Sequence, residues 1–415
     1  MRYFLLALTA AGALAATPAE ADTICEWMDF AGKIQAAAAP AQPRPLTGEH
    51  DRAQSQVALA MFEAVNAIDH RYQSYLQFTE TAPGASQDAA AATAAYHVLL
   101  AHFPGQKTAL AESHAMVMES VTDPAAREAG RKLGEAAAAA ALKAGNVDPA
   151  IVQTPYLPRA QVGVWVPVPL PVFAPSYMAA KPWFIDRADS VRPGPPPEIT
   201  SERYTRDLDE VKRLGGKDSK ERTPHQTLMA RYRITPNMMP SYRIAADMPG
   251  RLPVQNARMF AMLGMINDDA TVAIADAKLH YNFWRPITAI RNGDKDGNDA
   301  TAPDRAWEPL IPTPNHPEYP CGHCIFAAAT AEFMKAEVGN APSWGVRVAS
   351  RSIPNSAVQV LPSWDEWARQ VSFSRTLGGV HYRFSNEAAE EMGRKIARMA
   401  LTKAMRPLPK ARKRS

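Results

Sequence analysis

Cysteine is scarce in this sequence, and long uninterrupted apolar runs are missing from it. Its 415 residues include only three cysteines, Cys25, Cys321 and Cys324. These are too few for a disulfide framework to hold a chain of this size together. No segment reaches the roughly 18 consecutive apolar residues of a membrane-spanning helix. We therefore expect a protein that is stabilised by a packed core and has no membrane span.

A strong charge of either sign is also lacking. The chain has a formal net charge of +4 and a pI near 8.8, partly because of a basic run at 410–414. No groove-reading motif accompanies these basic residues, so nucleic-acid binding is not expected and residues 406–415 are interpreted as a solvated tail. The mild positive charge is compatible with a pocket for an anion, although net charge does not locate one.

The first 21 residues have the features of a secretory signal peptide. Arg2 precedes an apolar stretch over 3–16, and the small residues of 19–21 form a cleavage site. Cleavage there leaves 415 − 21 = 394 residues beginning at Asp22. We therefore expect a periplasmic or secreted protein. The sequence fixes no oligomeric state, and a homo-oligomer stays open.

Helical periodicity dominates the remainder, so the predicted fold class is all-α. Neither an internal repeat nor a series of strands is apparent. The predicted helical segments are 53–67, 86–101, 124–144, 201–214, 223–232, 254–284, 323–338 and 386–405.

A proline-rich stretch over 153–197 separates two helical regions. Its aromatic residues need burial, which favours an ordered extended crossing over a flexible linker; they are Trp165, Phe173, Tyr177, Trp183 and Phe184. We therefore place an N-terminal helical region with this crossing at 22–200, and a helical catalytic region at 201–405.

Three segments of the second region carry residues suited to anion chemistry. In the first, Lys278 and Arg285 are seven residues apart, which predicts two cations on one face of a helix that Pro286 then restricts. An arginine fork and a lysine point charge together suit a tetrahedral or trigonal anion. Taken alone, two basic residues on a solvated helix face are the more common explanation.

The second segment is Pro-Cys-Gly-His-Cys at 320–324, which precedes an alanine-rich helix. A helix N-terminus favours anions through its free N–H groups, and Gly322 would permit close approach to the backbone. His323 on the first turn is then placed for proton exchange. A structural histidine that caps the turn is an equally good interpretation of this segment alone.

In the third segment, Gly378 and Gly379 separate Arg375 from His381. The glycine pair is expected to break a helix and to let the arginine and the imidazole converge. The next helix would then be capped by Ser385 or its neighbour Asn386. Ordinary loop polarity would also explain this segment in isolation.

Together and in this order, the segments resemble the three-part signature of the vanadium-dependent haloperoxidase and type 2 phosphatidic-acid phosphatase superfamily. The matching residues are Lys278, Arg285-Pro286, the tetrapeptide 320–323, Ser374-Arg375 and His381. The long helical N-terminal half and the phrase HYNFWRP resemble the bacterial haloperoxidase branch. The resemblance implies a helical bundle of the haloperoxidase and acid-phosphatase type.

The resemblance also implies a mechanism. His381 would bond the oxyanion axially and His323 would serve as the acid-base group. Vanadate would be the cofactor, with phosphate able to occupy the same site, and hydrogen peroxide would oxidise a halide. The alternative is an acid phosphatase that hydrolyses phosphomonoesters through a phosphohistidine at His381, and a second alternative is an oxyanion-binding protein without turnover. The implied oxyanion-binding residues are Lys278, Arg285, Cys321, Gly322 and Arg375.

Two residues depart from the family pattern. Cys321 stands where the family has serine, and a thiol is a poorer donor that peroxide would oxidise. This substitution weakens the peroxidase interpretation more than the phosphatase one. Ser385 stands four residues beyond His381, where the family often has an aspartate, so the charge expected to orient His381 is in doubt.

Residues 321–324 also spell the redox motif of protein disulfide isomerases. The prolines before the motif and its helical surroundings argue against the strand and βαβ context that a thioredoxin-type site needs. A zinc site formed by Cys321, Cys324, His316 and His323 is a further rival, although its histidines lack the usual ligand spacing.

His316, seven residues before His323, is a candidate for halide selectivity. In the resembling enzymes this position tends to be histidine in bromoperoxidases and phenylalanine in chloroperoxidases. The resemblance therefore implies that bromide or iodide is preferred to chloride. A histidine that only fixes the proline-rich turn is the alternative.

Overall fold

The computed structural model describes residues 22–38, 49–145, 157, 159–168 and 180–409. The predicted signal peptide, residues 410–415 of the basic tail, Phe173 and Tyr177 lie outside these ranges. Within them the chain forms thirteen α-helices, which confirms the all-α prediction. The helices are α1 (Thr23–Ala38), α2 (Glu49–Asn66), α3 (Gln87–His102), α4 (Lys107–Ser120), α5 (Pro124–Ala144), α6 (Glu202–Gly215), α7 (Pro224–Tyr232), α8 (Met239–Ala246), α9 (Pro253–Tyr281), α10 (Pro286–Arg291), α11 (Gly322–Val338), α12 (Trp364–Leu377) and α13 (Arg383–Lys403).

Local capping residues explain where several helices begin. Asp123 accepts hydrogen bonds from the N–H groups of Ala125 and Ala126, and Pro124 occupies the first helical position of α5. Thr223 forms a capping box with Gln226 at the start of α7. Side-chain caps of this kind stabilise a helix by about 1 kcal/mol, and both starts agree with the sequence pattern.

Five helices and a small sheet were not predicted. The helices are α1, α4, α8, α10 and α12. Three short antiparallel strands, β1 (Pro236–Asn237), β2 (Val346–Ser350) and β3 (Gln359–Leu361), form a sheet in the order β1-β2-β3. Strands of two to five residues are too short to show the alternation of polar and apolar residues on which sequence prediction depends.

Helix α9 is the central element of the molecule. It is buried along most of its length, because it packs against α2 on one side and against α11 and α13 on another. A helix that is covered on all sides is expected to be mostly apolar. Helix α9 nevertheless buries Asp268 and Asp269, and both carboxylates are hydrogen-bonded. Asp268 accepts from the indole of Trp183, and Asp269 accepts from the backbone N–H groups of Trp183, Phe184 and Ile185.

These contacts hold the end of the proline-rich crossing against α9. Trp165, Trp183 and Phe184 are buried, as the sequence predicted. One apolar core extends from α1–α5 through α9 to α11–α13, so both predicted regions contribute to it. The boundary at residue 200 stays a prediction. Among the helices of the described part, none is long and apolar enough to cross a membrane.

A close helix contact fixes the position of α11. A Cβ atom at Gly393 of α13 would lie 2.2 Å from the carbonyl oxygen of Ile325 on α11. Only glycine fits at this separation, because real Cβ contacts are never so short. The N-terminal turn of α11, which carries Gly322 and His323, is therefore held firmly against the C-terminal bundle.

Candidate active site

Helix α9 ends before it reaches Arg285. Asn282 adopts the left-handed conformation (φ 46°) and closes the helix after Tyr281. Arg285 is instead the N-cap residue of α10, directly before Pro286. The prediction that Lys278 and Arg285 project from one helix face is therefore wrong, and it is the chain reversal after Tyr281 that brings the two cations to the same site.

Lys278 is buried and holds the turn that precedes α11. Its Nζ donates to the carbonyl oxygens of Pro317 (3.0 Å), Glu318 (2.8 Å) and Pro320. An ammonium group has three donors, so all of them are engaged by this turn. Burial, together with the charge of Arg285, lowers the pKa of Lys278 well below its usual value. In this arrangement Lys278 contributes charge to the site and positions its backbone.

Arg285 links the two predicted histidine segments. Its guanidinium donates to the carbonyl oxygens of His316 (3.0 Å) and Val380 (2.8 Å). It also contacts the ring nitrogens His316 Nδ1 at 2.9 Å and His381 Nε2 at 3.2 Å. Because the side chain is fully buried, it fixes the turn at 316 and the loop at 380–381 relative to each other.

Cys321 and Cys324 form a disulfide. Cys321 is the N-cap residue of α11, and its sulfur accepts a hydrogen bond from the Cys324 N–H. A bonded sulfur has no S–H to donate, so the proposed role of Cys321 as a side-chain donor to the oxyanion does not hold. The disulfide also removes both sulfurs as thiolate ligands for zinc, and in the described part of the chain no cluster of His, Cys, Asp or Glu suits a metal ion.

The first turn of α11 presents free backbone donors. No described residue accepts a hydrogen bond from the N–H of Gly322 or His323. A Cβ placed on Gly322 would meet nothing within 4 Å, so the space beside its Cα is open. The positive end of the helix dipole therefore faces an open position, as an anion site at a helix N-terminus requires.

Arg375, at the C-terminal end of α12, has unused donors. Its Nε and Nη1 are buried and have no hydrogen-bond partner among the described residues. Burial, together with the charge of Arg285, lowers its pKa to about 9. A buried donor that is left unpaired costs about 1–3 kcal/mol, and a bound anion that accepts from it would offset that cost. The unpaired donors of Arg375 are therefore suited to a bound anion.

The loop between α12 and α13 then delivers His381. Gly379 has a φ of +79°, and a Cβ there would lie 2.4 Å from the carbonyl oxygen of Gly215. Glycine is thus required at the predicted break between Arg375 and His381. The predicted capping role of Ser385 and Asn386 is wrong, because α13 begins at Arg383 with Tyr382 as its N-cap residue.

Glu318 supplies the carboxylate near His381 that the family pattern places at the position of Ser385. Its Oε1 lies 2.7 Å from His381 Nδ1 and also accepts from the backbone N–H of Tyr382 at 3.2 Å. A carboxylate at Nδ1 holds the ring proton there, so the Nε2 lone pair is an acceptor, and it accepts from Arg285 Nη1 at 3.2 Å. Burial raises the pKa of Glu318 to about 7. Sequence reasoning missed this residue because it lies 63 positions from its partner.

His323 is held by the backbone before β1. Its Nε2 donates to the carbonyl oxygen of Ile234 at 2.9 Å, so in the neutral ring the Nδ1 lone pair is the free one. Burial, with Arg375 nearby, lowers its pKa to about 3. The neutral imidazole has a lone pair at Nδ1, and the acid-base role of His323 stays a prediction.

His316 is buried beside the same site. Its Nδ1 contacts Arg285 Nη2 and lies 3.0 Å from the carbonyl oxygen of Pro317. Burial, together with the charges of Lys278 and Arg285, lowers the pKa of His316 well below its usual value. His316 therefore stays neutral and touches both the turn and the cavity described next.

A cavity of about 720 Å³ opens onto the predicted residues. Lys278, His316, Gly322, His323 and His381 line one part of it. Arg285 and Arg375 lie behind this wall, so the site buries three cations when Lys278 is included. The buried carboxylate of Glu318 is the negative charge among them. Three positive charges and one negative charge leave a net of two positive charges, so a bound anion would offset the cost of burying them.

These residues suit vanadate or phosphate. The unpaired donors of Arg375 and the backbone N–H of Gly322 are hydrogen-bond donors that an oxyanion needs, and His381 Nε2, which accepts from Arg285 Nη1, is the nitrogen that such an anion would bond. The one mismatch is Cys321, where a serine hydroxyl would have added a donor.

Comparison with known proteins gives the same assignment of fold. Residues 258–410 match the family model described as the VCPO second helical-bundle domain. Across nearly the whole chain, the structure is similar to that of a bacterial vanadium-dependent iodoperoxidase, with a TM-score of 0.77 and 20% identity, covering 94% of this chain and 99% of that chain.

Two structures of bacterial vanadium-dependent chloroperoxidase are also similar, each with a TM-score of 0.67 and 18% identity. The match to the apo form covers 87% of this chain and 95% of that chain. The match to the holo form covers 90% of this chain and 91% of that chain. No curated protein sequence matches the chain. By fold, the chain is therefore similar to bacterial vanadium-dependent haloperoxidases, and its residues 258–410 match the VCPO second helical-bundle domain.

Proposed function

We propose that this protein is a vanadate-dependent haloperoxidase-like enzyme that oxidises halide with hydrogen peroxide. The observation that carries the proposal is the pair of unpaired, buried Arg375 donors in a site where His381 Nε2 is an acceptor, held by Arg285 Nη1 at 3.2 Å. The similar structures are of an iodoperoxidase and a chloroperoxidase, which supports the same chemistry.

In this proposal Glu318 holds a proton on His381 Nδ1, and His381 Nε2 would exchange its contact with Arg285 for a bond to the oxyanion. Arg375 would donate from Nε and Nη1, and Gly322 would donate its backbone N–H. Bound vanadate would supply the activation of peroxide toward halide. His323, fixed through its Nε2–H to Ile234, accepts a proton at Nδ1 as peroxide binds.

The disulfide removes the main sequence-based objection to this function. A free thiol at Cys321 would be oxidised stepwise by peroxide or hypohalous acid. Bonded to Cys324, it has no thiol to be oxidised in that way. The pairing also supports our proposal that the protein is exported to the periplasm or secreted, because disulfides persist in oxidising compartments. Cell fractionation tests the location.

His316 bears on the choice of halide. It lines the cavity as a neutral imidazole, whereas the resemblance places phenylalanine at this position in chloroperoxidases. We therefore propose that bromide or iodide is oxidised in preference to chloride. Assays of the vanadate-loaded enzyme with peroxide and each halide test this, and chloride oxidation as fast as that of bromide contradicts it.

Two substitutions test the assignment of the histidines. His381→Ala should abolish stable vanadate binding while the fold persists, as measured by dialysis and metal analysis. His323→Ala should retain the anion and lose turnover by roughly 10²–10⁴-fold, the usual contribution of an acid-base group. Loss of the anion with turnover preserved in His323→Ala would reverse the two roles.

An acid phosphatase is the second candidate, because the Glu318–His381 pair would equally activate His381 Nε2 as a nucleophile for a phosphomonoester. Ester hydrolysis without vanadate, and no halogenation with it, would establish this alternative. Retention of phosphate or vanadate with neither activity would identify a non-catalytic oxyanion-binding protein.

A further inference from the structure

One buried cation lies outside the anion site, at the C-terminal end of α7. Arg233 directly follows this helix, and its side chain is fully buried. Its Nη2 donates to Gln370 Oε1 of α12 at 2.8 Å, and its guanidinium lies 5.0 Å from the centre of the Tyr232 ring. Neither Arg233 nor Gln370 lines the cavity beside the anion site. Arg233 therefore belongs to a separate part of the molecule, between α7 and α12.

The charge of Arg233 is not balanced by an acidic side chain. Among the described residues no carboxylate forms an ion pair with it, and the nearby Glu366 is engaged by Arg369 at 2.6 Å and by Gln370 Nε2 at 2.7 Å. Burial lowers the pKa of Arg233 to about 10, so the guanidinium stays protonated at neutral pH. Buried Arg52, by contrast, pairs with the Asp268 carboxylate at 3.0 Å. A buried charge without a partner is strongly destabilising, so Arg233 calls for a negative ligand.

Two donors of the same guanidinium are also unused. Arg233 Nε and Nη1 are buried and have no hydrogen-bond partner in the part of the chain that the structure describes. Buried donors in proteins are nearly always satisfied, by the protein itself, by water or by an ion. Water would satisfy the donors and leave the charge unbalanced, whereas an anion satisfies the donors and balances the charge.

The surroundings of Arg233 favour a small anion of single charge. One guanidinium balances one negative charge, so a doubly charged oxyanion would bury an excess of negative charge. A guanidinium is weakly hydrated and is suited to an anion that also gives up its water readily. Because Arg233 lies outside the cavity, an ion of one atom is favoured over a larger one. These conditions together describe a halide ion.

We propose that Arg233 binds a chloride or bromide ion between α7 and α12, and that this ion stabilises the segment that holds His323. The ion accepts a hydrogen bond from Nε or Nη1, while Nη2 keeps its bond to Gln370. Ile234 is the next residue along the chain, and its carbonyl oxygen accepts from His323 Nε2 at 2.9 Å. The ion is a structural ligand and is not consumed, so this site does not depend on the proposed function.

Equilibrium dialysis with radioactive chloride tests the site, with saturating phosphate present to fill the proposed oxyanion site at Arg375 and His381. The native protein should bind one chloride ion per chain. Arg233→Met removes the charge and should weaken binding more than tenfold, as loss of one partner of a buried charge pair does. Arg231→Met is the matched control, because Arg231 is an exposed arginine of the same helix. It should bind chloride as the native protein does, and undiminished binding by Arg233→Met would overturn the assignment.

Thermal unfolding gives a second measurement. In buffer without halide, Arg233→Met should melt at or above the native temperature, because an apolar side chain replaces a buried charge that has no partner. Bromide should raise the melting temperature of the native protein and of Arg231→Met, and it should leave Arg233→Met unchanged. Gluconate at the same ionic strength is the control anion, because it is much larger than a halide. An equal rise with gluconate would show a general effect of salt and would overturn the proposal.

The anomalous scattering of bromide locates the ion without any variant. Crystals of the native protein soaked in bromide should show an anomalous difference peak in contact with Arg233 Nε or Nη1. This measurement keeps the proposal falsifiable if Arg233→Met does not fold. A water molecule at this position, with no anomalous signal, would overturn it.

Amide hydrogen exchange tests the stabilising role of the ion. Bromide should slow exchange over 233–237 in the native protein and not in Arg233→Met, and unchanged exchange in the native protein would overturn this role. The outcomes are also distinct from those of the proposed function. Absence of an ion at Arg233 would overturn this inference even if the vanadate-loaded enzyme oxidises iodide. An ion at Arg233 without any halide oxidation would instead refute the haloperoxidase function and leave the site in place.

Discussion

The contact between Glu318 and His381 makes a quantitative prediction about anion affinity. In Glu318→Gln, the amide oxygen still accepts from His381 Nδ1, which keeps the ring proton in place. In Glu318→Leu, a residue of similar size, no acceptor remains and the ring is free to change its tautomer or orientation. Both variants remove the same negative charge, so the difference between them isolates the hydrogen bond, which has a length of 2.7 Å in a fully buried setting.

Loss of the Glu318 charge and loss of its hydrogen bond to His381 change the affinity for vanadate in opposite directions. An anion on Nε2 would lie roughly 7 Å from the carboxylate, and at an effective dielectric constant of about 20 their repulsion is about 2 kcal/mol. Loss of a partner that orients a ligand histidine typically costs 10–100-fold in affinity, or about 1.4–2.7 kcal/mol. The two effects are of similar size, so comparison of either variant with the native protein alone would mislead.

We therefore expect Glu318→Leu to bind vanadate roughly 10–100-fold more weakly than Glu318→Gln, as measured by equilibrium dialysis with metal analysis. Glu337, paired with Arg251 and Arg258 outside the cavity, provides the control. Glu337→Leu also removes a largely buried carboxylate and should leave vanadate affinity unchanged. Equal affinities in the Gln and Leu variants at position 318 would refute the orienting role of Glu318.

Four further results are expected. Phosphate or vanadate should raise the melting temperature, because a ligand at 100 times its Kd stabilises the folded state by about 2.7 kcal/mol; no shift would contradict an anion site. The double variant Cys321→Ser, Cys324→Ser should retain vanadate but lose thermal stability, and loss of all activity at unchanged stability would reopen a redox role for the sulfurs. After turnover with peroxide and bromide, peptide mass spectrometry should detect sulfoxide at Met239, which lines the cavity, before buried Met259; equal oxidation, or the same pattern with peroxide alone, would argue against an oxidant formed in the site. His316→Phe should raise chloride oxidation relative to bromide, and an unchanged ratio would exclude His316 as the selectivity residue.

The sequence predicted the helical fold well where the signals were local. The limits of α5 agree with its sequence pattern because Asp123 caps it and Pro124 starts it. The end of α9 was placed three residues too far, at 284 instead of Tyr281, because the aromatic residues that follow continue the apolar pattern. What stops the helix is the left-handed conformation of Asn282, which propensity alone does not reveal.

The site residues were found through the order of their motifs, and their geometry was not predictable in the same way. Lys278 and Arg285 were expected to meet on one helix, but the break after Tyr281 assigns them to different elements. A motif records which residue types are needed and in what order. It does not record how the backbone between them turns, which depends on tertiary contacts.

Glu318 illustrates a different limit. The family pattern places a carboxylate four residues beyond His381, at Ser385, whereas in the structure the carboxylate comes across the site from the turn before α11. That turn is held by Lys278 through three backbone carbonyls. Lys278 therefore acts on His381 indirectly, because it fixes the backbone from which Glu318 reaches the ring. It follows that Lys278 and Glu318 should be energetically coupled, and that their substitutions should not be additive in a double-mutant cycle of vanadate affinity.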